Sequence, residues 1–250
     1  MHPILIKIGP LALRSWGLML LIGFLLGYWL AVKRGEKYGV SRQDLLDLAL
    51  YLLLAGIIGG RLVYILLNIT YYASNPIQTI AIWNGGLSFY GSFAAGVLTV
   101  YIFCRKRGID FLEMVDLLTP SLALGYAFGR IGCFLNGCCY GVPTKLPWGV
   151  RFPGAFLGEP VHPVQLYAFL ANIVFMFVLL WFDEKKKRHS GQTFFLYMML
   201  YAFYRFLAEI LRKGATADIL FDGITQAQMA SIILFLVGGY LWWRAERQKE

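Results

Sequence analysis

The chain has 250 residues, of which 58% are hydrophobic and only 15% charged, with a formal net charge of +9. Such a balance excludes an ordinary water-soluble domain, because this much apolar side chain cannot be hidden in one core of that length. A nucleic-acid partner is excluded too: the Lys and Arg residues fall in short clusters between apolar runs and form no patch on a polar domain.

Seven apolar runs are long enough to cross a bilayer, at roughly 11–32, 45–67, 88–104, 115–131, 164–182, 193–211 and 228–243. Lys7 and Arg14 flank the start of the first run, but no small-residue cleavage site follows it, so it reads as a retained helix and not a signal peptide. With no solenoid repeat and no low-complexity linker, the expectation is an all-α integral membrane protein with seven transmembrane helices forming a single domain over 1–250.

The loops set the orientation, since short segments rich in Lys and Arg stay in the cytoplasm. Lys33, Arg34, Lys37 and Arg42 follow the first run, Arg105 to Arg107 the third, Lys185 to Arg188 the fifth, and Arg244, Arg247 and Lys249 the seventh. The alternate set is poorer: no positive residue from Asn68 to Leu87, Lys145 and Arg151 in the fourth connection, Arg212 and Lys213 in the sixth. The amino terminus is therefore expected outside and the carboxyl terminus in the cytoplasm. The long connection between the fourth and fifth helices, Gly132 to Pro163 with its five prolines, falls on the outer side.

Three of the runs carry a single internal arginine. At about 1.5 Å per residue from the cytoplasmic ends, Arg61 and Arg130 lie about 24 Å in and Arg205 about 18 Å, all in the outer half of a layer about 30 Å thick. One such arginine commonly snorkels to the interface. Three at matching depth point instead to an inward-facing anionic site. Glu209 follows Arg205 at i+4 on the same helix face, where it either serves that site or neutralises the arginine as a structural lock.

The stretch Gly129 to Gly141, Gly-Arg-Ile-Gly-Cys-Phe-Leu-Asn-Gly-Cys-Cys-Tyr-Gly, joins one of these arginines to an amide and three cysteines. Asn84-Gly85-Gly86-Leu87-Ser88-Phe89-Tyr90-Gly91 offers flexible backbone and two hydroxyls, suited either to close helix packing or to phosphate oxygens. His162, held before Pro163 at a helix start, is open to a role as base, metal ligand or interfacial hydrogen-bonding group. Cys133, Cys138, Cys139 and His162 do not have a standard zinc spacing, and adjacent cysteines rarely share one ion comfortably. Packing, a Cys133 to Cys138 disulfide and a metal or redox centre stay open for them.

Taken in order, these segments resemble the bacterial prolipoprotein diacylglyceryl transferases over nearly the whole chain. The resemblance rests on Ile8-Gly9-Pro10-Leu11-Ala12-Leu13 with Gly17-Leu18-Met19, on Gly85-Gly86-Leu87-Ser88-Phe89, and on Gly129 to Gly141. It continues through His162-Pro163 with Gln165-Leu166-Tyr167 and through Tyr204-Arg205-Phe206 with Glu209. It implies a seven-helix bacterial inner-membrane enzyme that uses no cofactor and no metal. Such an enzyme moves a diacylglyceryl group from phosphatidylglycerol to the lipobox cysteine thiol in a prolipoprotein signal peptide, forming a thioether and releasing glycerol phosphate.

Carried over by position, Arg130 looks like the headgroup-binding arginine, Arg205 and Glu209 like the functional pair on the sixth span, and Gly141 like the closing glycine of the signature. The chain departs from the family at Tyr90, where histidine is usual, at Trp16, where tyrosine is usual, and at Cys133, Cys138 and Ala168. Catalytic roles are therefore expected for Arg130, Arg205, Glu209, Tyr90 and His162. Substrate contacts are expected from Arg130, Arg61, Ser88, Asn136, Gly141, Gln165 and Tyr167. The alternative is a phospholipid-binding or metal or redox membrane protein on the same scaffold without transferase activity.

Overall fold

A computed structural model of the chain describes residues 3–8, 11–81, 85–153, 158–212, 219–221 and 223–247. Gly9, Pro10, Asn84, Lys213 and Lys249, named above, lie outside them. Among the described residues seven helices have 19 residues or more: α1 (Ser15–Gly35), α2 (Arg42–Leu67), α4 (Phe89–Arg107), α5 (Phe111–Asn136), α6 (Val164–Lys185), α7 (Gln192–Ile210) and α8 (Gln226–Arg247). A six-residue helix, α3 (Ile69–Ser74), follows α2. The seven apolar runs each coincide with one of the long helices. Five of these, α1, α2, α5, α6 and α7, are long and apolar enough to cross a membrane. Their outward surface agrees: on α6, Leu170, Val174, Phe177 and Trp181 form an exposed apolar stripe at helical spacing, which suits hydrocarbon and not water.

The helical reading leaves out two short hairpins, β1 (Ile4–Ile8) with β2 (Leu11–Arg14) and β3 (Ile219–Phe221) with β4 (Ile224–Thr225). The first corrects the start of the first span. Leu11, Ala12 and Leu13 are apolar, but they pair with the β-branched Ile4 to Ile8 segment, so α1 begins only at Ser15. A second correction concerns the signature. Gly129 to Asn136 is helical and completes α5, and Gly137, at φ 77°, ends the helix, so only the last five residues of the motif are loop.

The chain divides into two compact units, Val32–Met114 and Met1–Ala31 with Val115–Glu250. In the smaller unit α2 and α4 touch backbone to backbone. A Cβ at Gly59 or Gly91 would clash with the other helix, and Ser92 donates to the Gly56 carbonyl at 2.7 Å. Ser41 caps α2 by accepting the Asp44 amide at 3.0 Å, and Gly108, at φ 68°, closes α4.

In the larger unit, α1 lies against α5 through Gly23, Gly27 and Gly132, each facing atoms of the partner helix. Between α6 and α7, Tyr197 donates to the buried Asn172 at 3.0 Å and Thr193 to Asp183 at 3.1 Å. The α5 carboxylate of Asp116 is fully buried and accepts from the amides of Gly191 and Phe194, at 2.7 and 2.9 Å, where α7 begins. Lys187 completes the lock at 3.0 Å. A carboxylate set on a helix amino end is favoured by the exposed amides and the helix dipole. Asp116→Ala would take the carboxylate away from the Lys187 ammonium and from those amides, and is expected to cost about 3–5 kcal/mol. Thermal unfolding in detergent, with Asp47→Ala at a surface pair as control, measures it.

Candidate functional site

The site is built from the ends of α5, α6 and α7 and the loop that follows α5. Tyr126, Arg130, Val164, Ala168, Tyr204, Arg205, Ala208 and Arg212 line one groove. Tyr126 and Arg130 are one turn apart on α5, as are Arg205 and Glu209 on α7, so helical spacing turns each pair to one face, while Arg212 follows the end of α7 in a bridge with Gly141. Ala168 from α6 supplies a small apolar wall where the resemblance leads one to expect an acid.

The cations are held in different ways. Arg130 donates to the Tyr126 hydroxyl and lies over its ring at 4.7 Å. Tyr126 in turn meets the Tyr201 hydroxyl at 3.3 Å with the two rings edge to face. Among the described residues Tyr126 takes one of the five N–H groups of Arg130. Arg205 pairs with Glu209, whose carboxylate is buried and also accepts from Thr225 at 3.4 Å. Glu209 thus orients Arg205 while β4 reaches the carboxylate from its other side.

Gly141 packs where no side chain fits. A Cβ there would meet the Leu211 carbonyl, His162 and Val164. Its amide donates to the His162 carbonyl at 2.9 Å and the next amide, Val142, to the Leu211 carbonyl at 3.0 Å. The close of the signature thereby ties the end of α7 to the start of α6. Gln165 is only 1% exposed and donates to the Cys138 carbonyl at 2.6 Å, while its own carbonyl oxygen has no partner among the described residues. The Tyr167 hydroxyl accepts from the Trp148 indole at 2.8 Å and lies 3.2 Å from His162 Nδ1. The indole can only donate, so the Tyr167 hydroxyl accepts from Trp148 and shares a second hydrogen bond with Nδ1, whose sense follows the imidazole tautomer. Asn136, exposed, is the last residue of α5.

Arg61, Ser88 and Tyr90 belong to the smaller unit. Arg61 is 7% exposed and donates to five backbone carbonyls, those of Thr79 at 3.0 Å, Gly85 at 2.6 Å, Gly86 at 3.1 Å, Ala81 at 3.4 Å and Gln78. These use all five of its N–H groups. The glycines at φ 84° and 82° turn their carbonyls to the guanidinium, so their freedom serves Arg61. Ser88 receives α2 through its amide, bonded to the Gly60 carbonyl at 2.9 Å. Tyr90, in the first turn of α4, is 80% exposed beside Phe89.

Tyr126, Val164, Tyr204, Ala208 and Arg212 line the groove without having a site role in the sequence reading. Tyr126 and Tyr204 look like ordinary aromatic packing until their rings are seen beside guanidinium groups, and Ala208 carries no chemical signal. Arg212 was counted as loop charge. Its spacing from Arg205, seven residues or two helical turns, was the available signal.

The three thiols of the signature are also brought together. The Sγ atoms of Cys133, Cys138 and Cys139 lie within 4.8 Å of one another, all three as free cysteines. The Cys139 thiol is pulled down to about 5, chiefly by a hydrogen bond from Cys133, with Cys138 and the charges of Arg130 and Arg212 adding to it against the opposing effect of burial. Burial pushes Cys138 the other way. The three thiols titrate as a linked set in which the surroundings of Cys139 favour the thiolate. Because the thiolate is the reactive form, alkylation of metal-free protein at about pH 6 should label Cys139 far faster than an ordinary thiol. Cys133→Ser, which exchanges a thiol donor for a hydroxyl on a shorter bond, should shift the midpoint of that labelling upward. Peptide mass spectrometry across a pH series reads both.

Comparison with known proteins matches the family described as prolipoprotein diacylglyceryl transferase to residues 3–244. Proteins named phosphatidylglycerol-prolipoprotein diacylglyceryl transferase are similar along their length. That of Clostridium tetani is 35% identical over 245 residues, covering 97% of each chain. That of Legionella pneumophila (strain Paris) is 39% identical over 249 residues, covering 97% of this chain and 96% of its own. That of Nitratidesulfovibrio vulgaris (strain DP4) is 38% identical over 247 residues, covering 96% and 92%.

Proposed function

The chain belongs to the prolipoprotein diacylglyceryl transferase family, and from that premise we propose how its own residues carry out the transfer. It acts as a transferase in lipoprotein maturation, taking the diacylglyceryl group of phosphatidylglycerol to the lipobox cysteine of a prolipoprotein signal peptide. The observation that carries this reading is the groove lined together by Arg130, Arg205 and Arg212.

Sulfur attacks the sp³ glycerol carbon, a C–S bond forms, and the C–O bond to phosphate breaks with its electron pair going to the leaving glycerol phosphate. Charge therefore grows on the phosphate oxygens. Guanidinium groups fixed in a dry groove match them with paired, charge-assisted hydrogen bonds and need no reorganisation as the bond breaks. Arg130 takes the phosphate with the N–H groups that Tyr126 leaves over, Arg205 is aimed by Glu209, and Arg212 closes the set. Arg61 serves by clamping the 78–86 backbone, since its donors are already used.

The thiol proton has three candidate destinations: Tyr90, His162, or the departing phosphate. One of the two ring nitrogens of His162, Nδ1, is already engaged by the Tyr167 hydroxyl, which also accepts from the Trp148 indole. The positive field of three arginines favours thiolate without a dedicated base, and the leaving phosphate then takes the proton. Gln165 and Asn136 belong to the polar wall, and the free acceptor of Gln165 suits a substrate N–H.

We read the membrane arrangement as seven spans in a bacterial inner membrane, with the amino terminus outside. The alternation of Lys and Arg between connections supports it, and so does the length of α4 and α8, 19 and 22 residues, beside the five more apolar helices.

Transfer of labelled diacylglyceryl to a lipobox peptide tests the roles. Arg130→Ala is expected to lower the rate roughly 100- to 1,000-fold, as removal of a transition-state donor does elsewhere, and Arg130→Lys should recover little because a point charge replaces a planar fork. Ordinary activity in Arg130→Ala would remove the headgroup assignment. Tyr90→Phe should stay within about threefold of the unsubstituted rate if the field suffices; a loss of 100-fold or more would make that phenol the base.

A further inference from the structure

We propose that Cys133, Cys138 and Cys139 form a binding site for one thiophilic d¹⁰ metal ion, Zn²⁺ or Cu⁺, held by three thiolates. The argument begins with the backbone. Successive side chains along an ordinary strand point to opposite sides, so neighbours such as Cys138 and Cys139 do not normally share a ligand. Here Gly137 ends α5 at φ 77° and Cys139 sits at φ 63°, the one non-glycine residue with positive φ among those described. That left-handed residue reverses the alternation and brings both sulfurs to the side of Cys133, in the last turn of α5. A conformation unfavourable for a residue with a Cβ is kept where surrounding structure imposes it. Here the neighbouring anchors are the Gln165 bond to the Cys138 carbonyl and the Gly141 bond to the His162 carbonyl.

The separation suits an ion. A Zn–S bond of about 2.3 Å places sulfurs about 3.8–4.0 Å apart in tetrahedral or trigonal geometry, and the three sulfurs are already within 4.8 Å. A set of sulfur donors with no carboxylate selects soft ions over Mg²⁺ or Ca²⁺. Loading releases the protons the thiols still hold, and three thiolates on a divalent ion leave one surplus negative charge. Arg130 and Arg212 act on the cluster with positive charge and offset it. The ion would staple the end of α5 to the loop running on to Gly141, fixing that loop one turn from Arg130.

The test uses full-length protein, reduced and purified without oxygen in detergent. Zn²⁺ is titrated against a chromophoric chelator, with Cd²⁺ as a second probe whose thiolate charge-transfer absorption reports sulfur ligation. One ion per chain is expected. Bound Zn²⁺ should shield Cys133, Cys138 and Cys139 from alkylation while leaving Cys104, buried on α4, unchanged. Cys133→Ala, Cys138→Ala and Cys139→Ala should each weaken binding by more than the roughly 10–100-fold typical of losing an outer-shell partner. Cys139→Ala alters an exposed side chain, and its circular dichroism reports whether the fold is kept. Undiminished binding in a folded Cys139→Ala protein, absence of thiol protection at saturating Zn²⁺ in the unsubstituted protein, or rapid closure of a disulfide that Zn²⁺ does not slow would each overturn the proposal.

Discussion

A charge inside an apolar helix costs several kcal/mol unless another group answers it, and this chain answers its buried charges in distinct ways. Arg61 spends every donor on backbone carbonyls and so becomes part of the scaffold. Asp116 faces a lysine and the amino end of α7. Arg205 faces Glu209. Arg130 differs, because its hydrogen-bond partner is a neutral phenol whose ring it overlies, with no carboxylate paired to it among the described residues. A guanidinium paired with a carboxylate is held in position at some cost to its field, whereas one solvated by a ring keeps its field, so Arg205 serves by aim and Arg130 by charge. The groove owes its chemistry to that difference.

The helical framework was legible because the bilayer imposes a length on apolar runs that few other constraints mimic. The hairpin before α1 was not: Leu11 to Leu13 satisfies a hydropathy window whether it is helix or strand, and only its pairing with Ile4 to Ile8 decides. The arginines were legible as anomalies but not as roles. Nothing in residue order distinguishes Arg61, whose partners are carbonyls contributed by positive-φ glycines, from Arg130, whose partner is a side chain one turn away. Arg212 was hidden by its position past the apolar run, where a positive residue reads as a topology signal.

The departures from the family pattern become intelligible together. With Ala168 in place of an acid, the α6 wall of the groove adds no negative charge beside Arg130 and Arg205. At Cys133 and Cys138 the signature holds soft donors, gathered with Cys139 by the turn that begins at Gly137. The first change leaves the positive field of the groove intact, and the second sets a thiolate-forming cluster within reach of the charges of Arg130 and Arg212. The closing glycine keeps its demand for space, because the His162 and Val164 side chains and the Leu211 carbonyl occupy the volume a Cβ would need.

The central claim is that guanidinium groups on α5 and at the end of α7 hold one lipid phosphate. The most direct measurement is an experimental structure with a phosphatidylglycerol analogue whose scissile oxygen is replaced by carbon. The account predicts phosphate oxygens about 2.7–2.9 Å from nitrogens of both Arg130 and Arg205, with the glycerol carbon open to an approaching sulfur. A headgroup bound elsewhere, with the groove between Tyr126 and Arg212 filled by acyl chain or by nothing, would contradict it.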